Sequence, residues 1–115
     1  MSKNVLNHFL ALLKSRKLMD LMLEYYDDNV KIILNKHLKI ERKDLGINLL
    51  GQTLNYMQIL QFKIEDIYCV KDRLYYKVYS VFKDDDEQIH FNEHLIESKW
   101  KNDRIYEHNH IIINY

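Results

Sequence analysis

Four of the chain's six histidines, His90, His94, His108 and His110, stand near its C-terminal end. Imidazole titrates near neutral pH, so a pair of these rings could take a proton from a bound molecule and return it elsewhere. A His-x-His strand with a third histidine across a hairpin could also converge on one metal ion. The plainer use is polar lining, hydrogen-bonded to Tyr106, Ser98 or water. Register decides whether the rings meet. A three-residue loop, Lys101-Asn102-Asp103, pairs Trp100 with Arg104, Ser98 with Tyr106, Ile96 with His108 and His94 with His110. Directly opposed residues have Cβ atoms ~4.5–5.5 Å apart, so His94 would touch His110, with His108 two residues along on the same face. A two-residue turn would send the histidines of one strand to the opposite face.

The elements that must position them divide into a helical front and a strand-rich back. Val5, Leu6, Phe9, Leu10, Leu12 and Leu13 have the spacing of one helix face, with Ser2 or Asn4 as a cap. A second helix reads from about Arg16 to Tyr26, carrying Leu18, Leu21, Met22 and Tyr25 on one side. Asp27-Asp28-Asn29 breaks that pattern, and Val30 to Leu34 with Leu38 to Ile40 read as a strand pair. A third helix is expected after Gly46, running to about Leu60 on Leu50, Leu54, Met57 and Leu60. Gly51 inside it costs roughly 1 kcal/mol relative to alanine, and close approach to the sheet is the expected compensation. Beyond Gln61 the period changes to 2, giving strands over Phe62 to Val70, Arg73 to Lys83, Gln88 to Trp100 and Arg104 to Ile113. Short connections make them an antiparallel meander. Leu6, Phe9, Leu10, Leu13, Leu18, Met22, Leu50, Leu54 and Met57 are the expected core.

Length and charge narrow the function classes. The chain has 115 residues, one domain's worth, read as a single domain over 1–115. Seventeen basic residues balance seventeen acidic ones, so the broad positive field that drives nucleic-acid binding is missing. Tyr68, Tyr75, Tyr76 and Tyr79 interleave with Lys71, Arg73 and Lys77 as a single-strand platform would. Asp66, Asp72 and the Asp84–Glu87 loop blunt that field, and sheet packing explains the tyrosines. The same acidic loop lacks the glycine and regular oxygen spacing of a calcium site. Cys69 has no disulfide partner and reads as a small buried hydrophobe. No leader pattern and no long apolar run is seen, so a cytoplasmic location is expected, without membrane or nucleic-acid partners.

Several stretches carry a family resemblance: Phe9 to Met19, Tyr25-Tyr26-Asp27-Asp28-Asn29-Val30, Gly46 before the third helix, and Trp100 to Glu107 at the last hairpin. With the order helix, helix, strand pair, helix, four-strand meander, the chain resembles the nuclear transport factor 2-like superfamily, which includes ketosteroid isomerase and SnoaL-type polyketide cyclases. The resemblance implies an α+β, cystatin-like cone: three helices of the N-terminal half packed on a curved, mainly antiparallel sheet, with a small molecule held at the open end. It also implies a homodimer through the convex sheet face, to which Ile89, Phe91 and Leu95 lend apolar surface. Laid on the isomerase pattern, the phenol donor, carboxylate base and carboxylic-acid donor fall on Phe9, Ile33 and Ile96. All three are apolar, so that mechanism is disfavoured.

SnoaL-type cyclases place an acid–base pair on the last two strands, and the family's usual turn there favours the three-residue loop, with Asp103 in the left-handed position. On that register Asn92, His94, Ile96, Ser98, Trp100, Tyr106, His108 and His110 share the concave face. His94, His108 and His110 are then the candidate acid–base residues, and Asn92, Ile96, Ser98, Trp100 and Tyr106 the candidate ligand contacts. Glu97 would face Glu107 on the convex side, needing a base such as Lys77 between them, while Asp66 or Glu65 could enter the site from a neighbouring strand. The ligand expected is small and apolar or carbonyl-bearing, with no cofactor and no resident metal. The competing reading is a non-catalytic dimeric interaction domain.

Overall fold

Helix α1 (Lys3–Lys14) starts where the Ser2 hydroxyl accepts the Val5 amide at 3.2 Å, pairing one of the donors that a helix start leaves free. The computed structural model describes residues 1–115 and continues with α2 (Leu18–Tyr25), β1 (Tyr26–Leu34), β2 (Leu38–Ile40) and α3 (Lys43–Asn55). The four long strands are β3 (Met57–Val70), β4 (Arg73–Asp84), β5 (Ile89–Lys101) and β6 (Arg104–Asn114). All six strands form one sheet in the order β2-β1-β6-β5-β4-β3, antiparallel except where β1 runs parallel to β6. Three helices on a mainly antiparallel sheet, with a consecutive β3–β6 meander, make the expected α+β cone.

The third helix differs from its reading. It begins before Gly46 and stops at Asn55, so Met57 and Leu60 belong to β3, where Met57 faces Asp84 of β4. The spacing Leu50, Leu54, Met57 is compatible with a helix, but β4 is long enough to pair the chain from Met57 onward. Gly46 is the glycine at a close approach: a Cβ there would lie 2.6 Å from Ile32 Cδ1 and 3.1 Å from Met22 Cε. Gly51 is not, since its Cβ would meet only Met19 Cε at 3.9 Å. The absent side chain at Gly46 lets α3 settle onto β1 and α2.

The narrow end of the cone is an aromatic cluster. Phe9 and Trp100 meet edge to face with centroids 5.2 Å apart, and Tyr25 lies 5.7 Å from each. Such pairs add to the burial of their large apolar area. Trp100 Nε1 donates to Ser98 Oγ at 2.8 Å, which satisfies the buried indole N–H. Along each long strand the inward residues become more exposed away from this cluster: Leu74, Ser98 and Ile105 are fully buried, whereas Phe82, His94 and Ile112 are half-buried. Phe9, Leu13 and Met22 are core as expected. Leu6 and Leu10 are half-buried against it, and Leu18, Leu50, Leu54 and Met57 are half-buried because they border open space in the cone.

The last hairpin uses a different device from the one expected. Its turn is the two-residue type, Asn102-Asp103, with both residues at positive φ (53° and 60°) and Lys101 facing Arg104. That is the twist-matched hairpin turn, built here from Asn and Asp in place of glycine. Alone it would turn His108 and His110 out of the cone. Trp100 faces Ile105 and Lys99 faces Glu107, however, so Tyr106 is an extra, unpaired residue. This β-bulge restores the parity. The final register pairs Ser98 with His108, Ile96 with His110 and His94 with Ile112, two residues from the expected one, so His94 does not oppose His110 directly.

The convex face is likewise corrected. Glu97 faces Asn109, not Glu107, and Asn109 Nδ2 donates to both carboxylates, at 3.1 Å and 3.0 Å. Lys99 pairs with Glu107 at 2.7 Å and Arg73 with Glu97 at 3.5 Å, while Lys77 goes to Asp66 and Glu93. Cys69 is exposed on the edge strand β3, contrary to its reading as buried. No helix is long and apolar enough to cross a membrane.

Candidate active site in the cone

Between the helices and the concave face lies a cavity of about 340 Å³, open at the wide end and bordered mostly by aliphatic side chains of α2, α3 and the sheet. None of its lining side chains is Asp, Glu, Lys or Arg. A volume of this size suits a small molecule, and the absence of fixed charge suits an uncharged one.

One wall is polar. Tyr26 Oη lies 2.8 Å from His108 Nδ1, His108 Nε2 is 3.2 Å from His110 Nδ1, and His110 Nε2 is 2.7 Å from His94 Nδ1. His94 Nε2 then lies 3.2 Å from Ser80 Oγ. The row crosses four neighbouring strands, β1, β6, β5 and β4, and all five residues border the cavity. The bulge at Tyr106 is what makes this possible, because it returns His108 and His110 to the side of His94 and Ser80.

Burial holds these rings neutral. His108 is pushed down to about 4 by burial, and His110 to about 2 by burial first and by the neighbouring His108 and His94 second. His94 is lowered by burial, and the buried Tyr26 phenol is raised well above its ordinary value. Removing a charged form from water is the common cause in each case. At neutral pH every imidazole in the row therefore carries one N–H and one bare nitrogen. The rings also run in a line, nitrogen to nitrogen, where the ligands of a tetrahedral ion converge on a point.

The remaining candidate residues divide. Asn92 and Ile96 border the cavity. Asn92 Nδ2 donates to Asn114 Oδ1 at 2.7 Å, and its own Oδ1 is buried without a partner. Ser98 and Trp100 lie beneath the cavity floor, bonded to each other in the aromatic cluster. Tyr106 is 42% exposed, because the bulged residue has no partner to hold it against the sheet. His90 is an outer residue 2.7 Å from Asp84, and neither Glu65 nor Asp66 reaches the cavity: they pair with Lys63 and Lys77. Two members of the polar row, Tyr26 and Ser80, escaped the sequence reading. Ser80 had a signal, as the one polar inward residue after Leu74, Tyr76 and Val78. Tyr26 had none, since its place depends on the parallel pairing of β1 with β6.

No family model matches the sequence, and no curated protein matches it significantly. The fold has many solved counterparts. A Mesorhizobium loti protein named as a candidate SnoaL-like polyketide cyclase superposes with a TM-score of 0.86 at 13% identity, over 96% of this chain and 98% of that one. A candidate isomerase from Bacillus subtilis gives 0.76 at 12% identity, over 96% and 84%. An NTF2-like protein of unknown function from Cytophaga hutchinsonii gives 0.75 at 9%, over 96% and 98%. At these identities the likeness is one of architecture, and the chain has the nuclear transport factor 2-like fold.

Proposed function

We propose that the protein binds a small, uncharged, largely apolar molecule bearing a carbonyl or hydroxyl group in the cone, and acts on it by acid–base chemistry through His94, His108 and His110. The observation that carries this is the cavity itself: about 340 Å³ without a charged side chain, but with one wall of neutral imidazoles that can both give and accept protons. Asn92 borders the cavity and adds an uncharged polar side chain to its lining. Neighbours in architecture are named as cyclase, isomerase and, for an M. tuberculosis protein, LEH-like epoxide hydrolase, which fits a cone used for small organic substrates.

A thermal-shift screen tests the reading with cyclic ketones and phenols against their carboxylated counterparts. Neutral members are expected to stabilise, by ~2.7 kcal/mol at a hundredfold excess over Kd, and the carboxylates are not. Stabilisation by charged compounds alone would overturn it.

The second reading, a homodimeric interaction domain, is favoured by one feature. Ile89, Phe91 and Ile113 are exposed on the convex face of the sheet, beside the half-buried Leu95 and Ile111. Light scattering at high micromolar concentration tests it: a mass of twice 14.1 kDa supports the dimer, and a monomer's mass excludes it.

A further inference from the structure

The polar wall contains a restriction on how it can act. Each of the three imidazoles has both ring nitrogens engaged: His108 with Tyr26 and His110, His110 with His108 and His94, His94 with His110 and Ser80. No ring nitrogen is left over for a ligand. The groups with capacity to spare are the two hydroxyls that end the row, since a hydroxyl has one hydrogen and two lone pairs.

Valence then ties the rings together. A neutral imidazole donates from one nitrogen and accepts at the other. If Tyr26 donates to His108 Nδ1, then His108, His110 and His94 must each carry the proton on Nε2, and His94 donates to Ser80. If Ser80 donates to His94 Nε2, all three rings must carry it on Nδ1, and His108 donates to Tyr26. No mixed arrangement keeps every bond. The row has two states, and passing between them moves a proton at every link.

We infer that Tyr26, His108, His110, His94 and Ser80 form one proton relay, open to an uncharged hydroxyl- or carbonyl-bearing molecule only at its Tyr26 and Ser80 ends. From the Nδ1–H state, Ser80 Oγ takes a proton from an acid at its end and passes its own to His94 Nε2. His94 Nδ1 gives its proton to His110 Nε2, His110 Nδ1 to His108 Nε2, and His108 Nδ1 to Tyr26 Oη. Tyr26 releases its original proton to an acceptor at the far end. One proton enters, one leaves, no ring becomes charged, and the row is left in the Nε2–H state. The ends are three strand spacings apart, roughly 14 Å, so the relay joins sites that one small group cannot bridge.

The assignment rests on the cone being the binding site, but its test needs no ligand, so the two can fail separately. Two-bond ¹H–¹⁵N correlation on histidine-labelled protein at neutral pH reads which nitrogen of each ring holds the proton. The expected result is that His94, His108 and His110 report the same tautomer, or the same mixture. Tyr26→Phe should move all three towards Nε2–H, because the other state would leave His108 with a buried N–H lacking an acceptor, the rarer kind of orphan. Ser80→Ala should move all three towards Nδ1–H for the same reason at the opposite end. The decisive ring is the distant one, His94 in the first variant and His108 in the second. Opposite tautomers among the three rings of the unaltered protein would overturn the relay, and so would a response confined to the ring beside each substitution. Should either variant fail to fold, the tautomers of the unaltered protein still decide.

Discussion

His110 Nε2 lies 2.7 Å from His94 Nδ1, although the residue opposite His94 across the β5–β6 hairpin is Ile112. The two rings meet diagonally, with centroids 4.9 Å apart, because His110 sits opposite Ile96 and the imidazoles lean towards each other over the concave face. Aromatic side chains can span such a diagonal, which is wider than the direct cross-strand distance.

Stability should depend on pH with a sign set by the three rings. Their native pKa values lie below the ordinary ~6.5, so on acidification the unfolded chain binds protons that the native protein refuses. Their contribution is complete above ~6.5 and is lost as pH falls from there towards the native value of about 4 for His108. Each such ring costs about 1.4 kcal/mol per pH unit in that window. Urea unfolding at a series of pH values measures the slope, which His110→Ala should make shallower. A flat profile between pH ~6.5 and ~4.5 would show the rings to be solvated.

The two glycines of α3 should respond to alanine with opposite sign. Gly51→Ala meets only an ordinary contact with Met19 and should stabilise by roughly 0.5–1 kcal/mol through helix propensity. Gly46→Ala places a methyl 2.6 Å from Ile32 Cδ1 and 3.1 Å from Met22 Cε, so both side-chain ends must shift, and overpacking of about 1–3 kcal/mol should outweigh the same gain. Thermal or urea unfolding of both variants checks the pair.

The bulge predicts that its extra residue can be deleted or substituted without turning the histidines outward. Removing Tyr106 leaves a plain two-residue hairpin in which Lys99 still faces Glu107 and Ser98 still faces His108, so the histidines stay inward. The variant should keep its cooperative fold, since Glu107 stays opposite Lys99 on the convex face and no carboxylate is driven into the cone. Tyr106→Thr keeps the extra residue and should lie within about 1 kcal/mol of the parent. Circular dichroism melts check both variants, and a loss of cooperative unfolding on deleting Tyr106 would mean that the bulge itself is required.

Ser98→Ala should destabilise despite removing a single oxygen. It strands Trp100 Nε1–H in the aromatic cluster at full burial, a loss of about 1–3 kcal/mol. Urea unfolding measures it, and no change in midpoint would mean that the indole finds another acceptor.

Much of this architecture is legible along the chain. The stripe of Phe9 and Leu13, the short connections between the last four strands, and the alternation from Phe62 onward specify helices, turns and a meander, because each depends on residues near one another in sequence. The gathering of His94, His108 and His110 on one face was also within reach, since an even shift of register leaves side-chain parity unchanged. What the tertiary structure decided were the places where distant segments compete for the same space. The helical pattern of Leu54 and Met57 yields to β4, which offers Met57 a strand partner, and Gly46 enters α3 because Ile32 and Met22 crowd it. Tyr106 becomes a bulge because Trp100 must face Ile105 in the buried end while His108 must still turn inward beside Ser98. Tyr26 reaches His108 only through the parallel pairing of β1 with β6, a contact across 82 positions of sequence for which no local pattern exists.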